Sequence, residues 1–145
     1  MNFMVIVDDQ THLEQQLPQL QKNIISLTGT QLEKLLTDDP PEGHTPVDEG
    51  HLAGAWTKQE SQDKVVMTNS AEYAVYLNEG TGMYGPYRRR ITPVKKKVLS
   101  DFRSGGTFVA KSTRGIEGRH FVEAAVDDLE SKMPNILQQA VNKLE

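Results

Sequence analysis

The chain has 145 residues, 37 % of them hydrophobic and 25 % charged, an ordinary soluble balance with room for one domain and its core. It contains no cysteine, which excludes a disulfide scaffold, a thiolate nucleophile and every cysteine-based zinc site. The net charge of −4 is unevenly placed: residues 85–104 carry Arg88, Arg89, Arg90, Lys95, Lys96, Lys97 and Arg103 against Asp101 alone, so the remainder is strongly acidic. That asymmetry argues against the whole molecule gripping nucleic acid, and it suits a subunit that turns a basic patch toward an acidic surface, including its own neighbour in a ring.

In chain order, Phe3, Val5 and Val7 alternate with Met4 and Ile6, a β-branched run that predicts a strand buried on both faces or covered by a helix. It lacks the basic region of a signal peptide and is too short for a membrane span, so the chain is expected to be made and used on the cytoplasmic side. Thr11 and Glu14 have capping-box spacing and open a helix in which Leu13, Leu17, Leu20, Ile24 and Leu27 recur at three or four. Pro18 is expected to kink it or reset its start, at a cost of about 3 kcal/mol. Gly29 is a weak point before the apolar face continues through Leu32, Leu35 and Leu36.

Residues 37–50, TDDPPEGHTPVDEG, read as an acidic loop that stays mobile until a partner orders it. His44 and His51 flank Asp48 and Glu49, but a metal site needs rigid support, and a solvated acidic loop is the better reading. Residues 52–60 and 64–68 predict two strands joined at Ser61, Gln62 and Asp63, with Trp56 as a core anchor under the long helices.

The organising stretch is 69–85, NSAEYAVYLNEGTGMYG. Asn69 and Glu72 form a second capping-box pattern, so a short helix is predicted over 70–79. Tyr73, Ala74 and Leu77 make its apolar stripe, with Glu72, Asn78 and Glu79 facing away. Gly80 supplies the left-handed residue that closes it. Tyr84 to Tyr87 form a turn leading into RRRITPVKKK. Val98, Leu99 and Phe102, then Phe108, Val109 and Ala110, predict a second hairpin about a glycine turn, and 111–118 is loop. Val122, Val126, Leu129, Met133, Leu137, Val141 and Leu144 step by three and four, which predicts a long C-terminal helix kinked near Pro134. The expected fold is α+β: antiparallel hairpins forming a sheet, long N- and C-terminal helices packed on it, and a short central helix, in a single domain 1–145 with mobile loops at about 37–51 and 82–97.

Three segments carry a family resemblance. EYAVYLNEGTGMYG at 72–85 follows TPVDEGHL at 45–52 and precedes GRHFVEAA at 118–125. This order resembles the tail-completion, or neck, proteins of long-tailed double-stranded DNA bacteriophages and prophages. In that family a Tyr-Ala pair, a second aromatic and an acidic-Gly-Thr ending lie between Pro-Val-Asp-Thr-Gly-x-Leu and Pro-Phe-Leu-x-x-Ala. Glu49 stands where Thr is usual, Ala55 where Ser is common, and His120 where Pro precedes Phe. The positions that match the pattern are Asp48, Gly50, Leu52, Tyr73, Ala74, Tyr76, Leu77, Gly80, Thr81 and Phe121.

The resemblance implies a structural virion protein at the head–tail junction that completes the tail end and mediates head-to-tail joining as a ring. Its partners would be itself and tail-terminator, tail-tube or head-connector proteins, first in the host bacterial cytoplasm and then in the virion. DNA would at most pass through, and neither a cofactor nor a membrane is implied. Arg88, Arg89, Arg90, Lys95, Lys96 and Lys97 are the candidate partner contacts. The alternative is a small nucleic-acid-binding module using 88–97, with Tyr84 and Tyr87 near enough to stack on bases. Catalysis has no support: there is no nucleophile elbow, no His-Glu-x-x-His, and no phosphate loop with its lysine.

Overall fold

The computed structural model describes residues 10–47, 50–101 and 108–144. The strand expected at 3–7, Asp48 and the glycine turn of the second hairpin lie outside them. The elements are α1 (Gln10–Thr37), α2 (His51–Gly54), β1 (Trp56–Glu60), β2 (Val65–Asn69), α3 (Ala74–Glu79), a 3-10 turn at Gly82–Tyr84, β3 (Leu99–Asp101), β4 (Phe108–Ala110) and α4 (Phe121–Asn142). The α+β expectation holds: long N- and C-terminal helices, a short central helix and antiparallel hairpins. Each hairpin forms its own two-stranded sheet, β1 with β2 in the register Trp56 to Asn69 and β3 with β4 in the register Leu99 to Ala110.

Helix α1 already includes Gln10 and Thr11, so Thr11 is not its cap, and the helix runs through Pro18 without a new start. The proline removes the amide that would bond the carbonyl of Glu14, and both residues are exposed, which leaves the freed acceptor open to solvent. Gly29 also departs from expectation. It is buried where β2 crosses the helix, and a Cβ there would stand 3.0 Å from Cγ2 of Val65. Its missing side chain lets the strand lie close on the helix.

α1 and α4 run antiparallel. Nδ2 of Asn23 donates to the Ala140 carbonyl at 3.2 Å near one end, while Leu35 and Leu36 pack with Ala125 at the other. Trp56, Met67, Leu32 and Leu129 close over that cluster, so the hairpin β1–β2 covers the C-terminal half of α1. Lys58 of β1 reaches Glu33 of α1 at 2.6 Å.

α4 likewise continues through Pro134. Its buried face is Phe121, Ala125, Ile136 and Ala140, one residue round from the predicted stripe, and Val126, Leu137 and Val141 are exposed. The alanines explain the shift: close antiparallel packing on α1 selects the small side chains of the apolar surface for the seam. Leu52, expected at the head of a strand, lies in α2 instead and is buried.

The acidic loop meets the helices through several contacts. The His44 amide donates to the Leu35 carbonyl at 2.8 Å, its ring bonds Oδ2 of Asp128 at 3.1 Å, and the fully buried Thr45 hydroxyl accepts from Nε1 of Trp56 at 3.1 Å. Trp56 is therefore a core anchor with its N–H satisfied, as a buried indole requires.

Candidate functional site

The site is built around α3 and its exit. The predicted capping box does not form. Asn69 ends β2, its Oδ1 accepting from the Ala71 amide and its Nδ2 donating to the Leu52 carbonyl, both at 2.9 Å. α3 starts only at Ala74, with Tyr73 as a cap that makes no side-chain bond. The Asn69 oxygen thus closes a local turn onto Ala71 ahead of the helix, while its amide nitrogen ties that turn to α2.

The inward face of α3 is Ala74, Leu77 and Asn78. Tyr73 and Tyr76 are exposed, Tyr76 by 61 %, so the tyrosine expected in the apolar stripe is on the surface. Asn78, expected to face solvent, is 9 % exposed. Its Oδ1 accepts the Val122 amide at 3.0 Å, its Nδ2 donates to Glu123 at 3.1 Å, and its carbonyl accepts the His120 amide at 3.0 Å. His120 begins α4 in a left-handed conformation and caps nothing with its own side chain. Asn78 therefore caps α4 from another helix. The signal available in sequence was its place at i+4 from Ala74, the inward pair of an amphipathic helix.

Gly80 closes α3 through its amide to the Tyr76 carbonyl at 2.9 Å, with φ 88° and ψ 172°. This is not the left-handed helical residue expected but an extended positive-φ conformation open essentially to glycine alone. A Cβ there would sit 2.7 Å from the Gly118 amide and 2.9 Å from the Ile116 carbonyl. The tightness follows from the pairing of the exit loop with 113–120. Thr81 donates its amide to Ile116 at 2.8 Å and accepts the Ile116 amide on its hydroxyl at 2.9 Å, and Met83 donates to Arg114 at 2.7 Å.

One residue from each motif segment, Leu52, Ala74 and Phe121, forms a single buried cluster, with Trp56, Leu77 and Val122 against it. Gly50 begins α2 with φ 75°. The motif positions thus divide into a core set (Leu52, Ala74, Leu77, Phe121), a loop set (Gly50, Gly80, Thr81) and the surface tyrosines Tyr73 and Tyr76.

Outside this core lies a groove of about 600 Å³ between α3, its exit loop and the basic segment. Val75, Tyr76, Tyr87, Ile91 and Val94 give it apolar walls, and Arg89, Arg90 and Glu79 are its charged groups. Tyr87 is 82 % and Val94 95 % exposed. The Arg89 guanidinium lies 5.6 Å from the Tyr87 ring centroid, Nε of Arg90 donates to Ser112 at 2.9 Å, and Ile91 pairs with Thr113 by two backbone bonds. Arg88, Lys95, Lys96 and Lys97 are exposed and do not line the groove. Sequence reasoning found the charges of this surface but not its apolar walls, whose residues come from α3 at Val75 and Tyr76 and from single positions at 87, 91 and 94.

Two carboxylates are shifted. The hydrogen bond to its own backbone amide, helped by Asn78 and His120, holds Glu123 below the usual value against a partial desolvation. The His44 bond, then Lys132, does the same for Asp128. Among the described residues no three metal-binding side chains converge, and no helix is long and apolar enough to cross a membrane.

No family model, no curated protein and no solved structure matches the chain.

Proposed function

We propose that the chain is a structural virion protein of the phage head–tail junction, which completes the tail end and joins head to tail as a ring. The observation that carries this reading is the order of the three motif segments together with their meeting in the Leu52, Ala74 and Phe121 cluster. These segments hold the α3 exit loop against the start of α4. The surface supports an assembly role as well. Asp38, Asp39 and Glu42 are exposed on the acidic loop and Arg88 to Arg90 on the basic one, a complementarity suited to subunit contacts and partner choice. An acidic surface elsewhere would let DNA slide past a lumen.

The alternative, a nucleic-acid-binding module on 88–97, has one observation in its favour: the exposed Tyr87 ring with Arg89 over it, an aromatic platform paired with a cation. The deciding experiment is electron microscopy of a lysate from the parent phage or prophage after deletion of this reading frame. Full heads beside separate tails are expected; normal particles would overturn the proposal, and duplex binding that falls steeply with salt would then favour the alternative.

A further inference from the structure

The groove beside α3 leaves about 600 Å³ open, walled by Val75, Tyr76, Tyr87, Ile91 and Val94. Contiguous exposed apolar surface of this kind, set with a few charged groups, marks a binding site. Arg89 and Arg90 outnumber the single carboxylate Glu79, so the occupant should be an apolar segment carrying negative charge.

The chain itself contains one such segment. Residues 3–7, Phe-Met-Val-Ile-Val, are a run of five consecutive hydrophobic side chains with Asp8 and Asp9 directly after it, and the other such run, 73–77, belongs to α3 and its cap and supplies the groove's own wall. An extended run that is apolar on both faces must be covered on both. Two carboxylates at its end match two guanidinium groups, the donors best shaped for them.

Geometry decides whose groove it is. Leu35 packs on Ala125 in the first turns of α4, and the groove lies beyond, where Gly80 meets Gly118 ahead of Phe121. Gln10 is at the opposite end of α1, about 25 residues and therefore about 37 Å away along the helix. The nine residues that precede it span about 30 Å when fully extended. They fall short of their own groove.

We propose that this groove receives residues 3–8 of a neighbouring copy, with Asp8 against Arg89 and Arg90. Each copy then donates a segment at one end of the α1–α4 pair and accepts one at the other. That is a heterologous contact, which closes into a ring or extends as a filament according to the rotation between copies. The inference deepens the assembly reading above and rests on it only for the ring's place in the particle.

Disulfide trapping tests it without ambiguity, because the full chain has no cysteine of its own. Purified Val5→Cys protein is mixed with Val94→Cys protein under mild oxidant, and with Val66→Cys protein as an exposed control outside the groove. Circular dichroism verifies the fold of each. Covalent dimer is expected with Val94→Cys and at least tenfold less with Val66→Cys. Adding Arg89→Glu and Arg90→Glu to the acceptor should lower the yield tenfold, and Asp8→Arg with Asp9→Arg in the donor should restore it. Equal yields with the two acceptors, or a Val5→Cys/Val94→Cys chain that closes its disulfide within itself, would overturn the proposal. Trapping is read on purified protein and the head–tail assignment on particles, so either can fail while the other stands.

Discussion

Replacing Asn78 by Ala should destabilise the protein far more than a polar substitution near the end of a short helix ordinarily does. The side chain supplies the acceptor that the left-handed His120 does not, taking the Val122 amide at 3.0 Å. Loss of a helix cap costs about 1 kcal/mol, and leaving a half-buried amide without a partner raises that toward 2. The second bond, to Glu123, adds little, because that carboxylate is 57 % exposed and water replaces the amide. The expected loss is about 2 kcal/mol, a fall of about 1 M in the urea midpoint at a slope typical of this size. Urea titration followed by Trp56, the only tryptophan, and by far-ultraviolet circular dichroism reads it directly. Asn78→Asp keeps the acceptor and places a negative charge at the positive end of α4, but it opposes Glu123, so its midpoint should fall between those of the wild type and Asn78→Ala. A midpoint shift below about 0.2 M for Asn78→Ala, on a slope of about 2 kcal/mol/M, would refute the capping argument. So would Asn78→Asp as unstable as the alanine variant.

Gly80→Ala should cost about 3 kcal/mol or more, because its φ of 88° with extended ψ disfavours any side chain and the new Cβ would meet backbone at 2.7 Å; soluble yield and thermal unfolding check this. Thr45→Val leaves the indole N–H of Trp56 without its acceptor, so about 1 to 2 kcal/mol should be lost with a change in the tryptophan emission. Asp128 is held below 3.8 by the His44 bond; its contribution is present above the unfolded carboxylate value and is lost as pH falls through the lower folded one. Asp128→Asn should therefore flatten the acid limb of the stability profile below about pH 4, measured by urea midpoints across pH. Charge reversal of Arg88, Arg89 and Arg90 together should leave folding intact and lower particle yield.

The sequence by itself determined the elements whose signals are local. Apolar residues at three and four marked α1 and α4, Ser61 to Asp63 marked the first hairpin turn, and the positive φ of Gly80 followed from its place after α3. Trp56 was legible as a core anchor because a lone large aromatic on a half-buried strand has few other places to go. Tertiary structure decided which of several locally equivalent choices was taken. Asn69 turns its oxygen onto Ala71 and its amide nitrogen onto α2, so that α3 starts only at Ala74, while Asn78 could have faced water and instead caps α4. The α4 seam runs through Ala125 and Ala140 rather than Val126 and Val141, because helix packing rewards close approach and a one-dimensional period cannot say which flank of a wide apolar stripe meets the neighbour. The groove belongs to the same class. Its walls come from residues separated along the chain, and only the pairing of the α3 exit loop with 113–120 and of Ile91 with Thr113 brings them to one place.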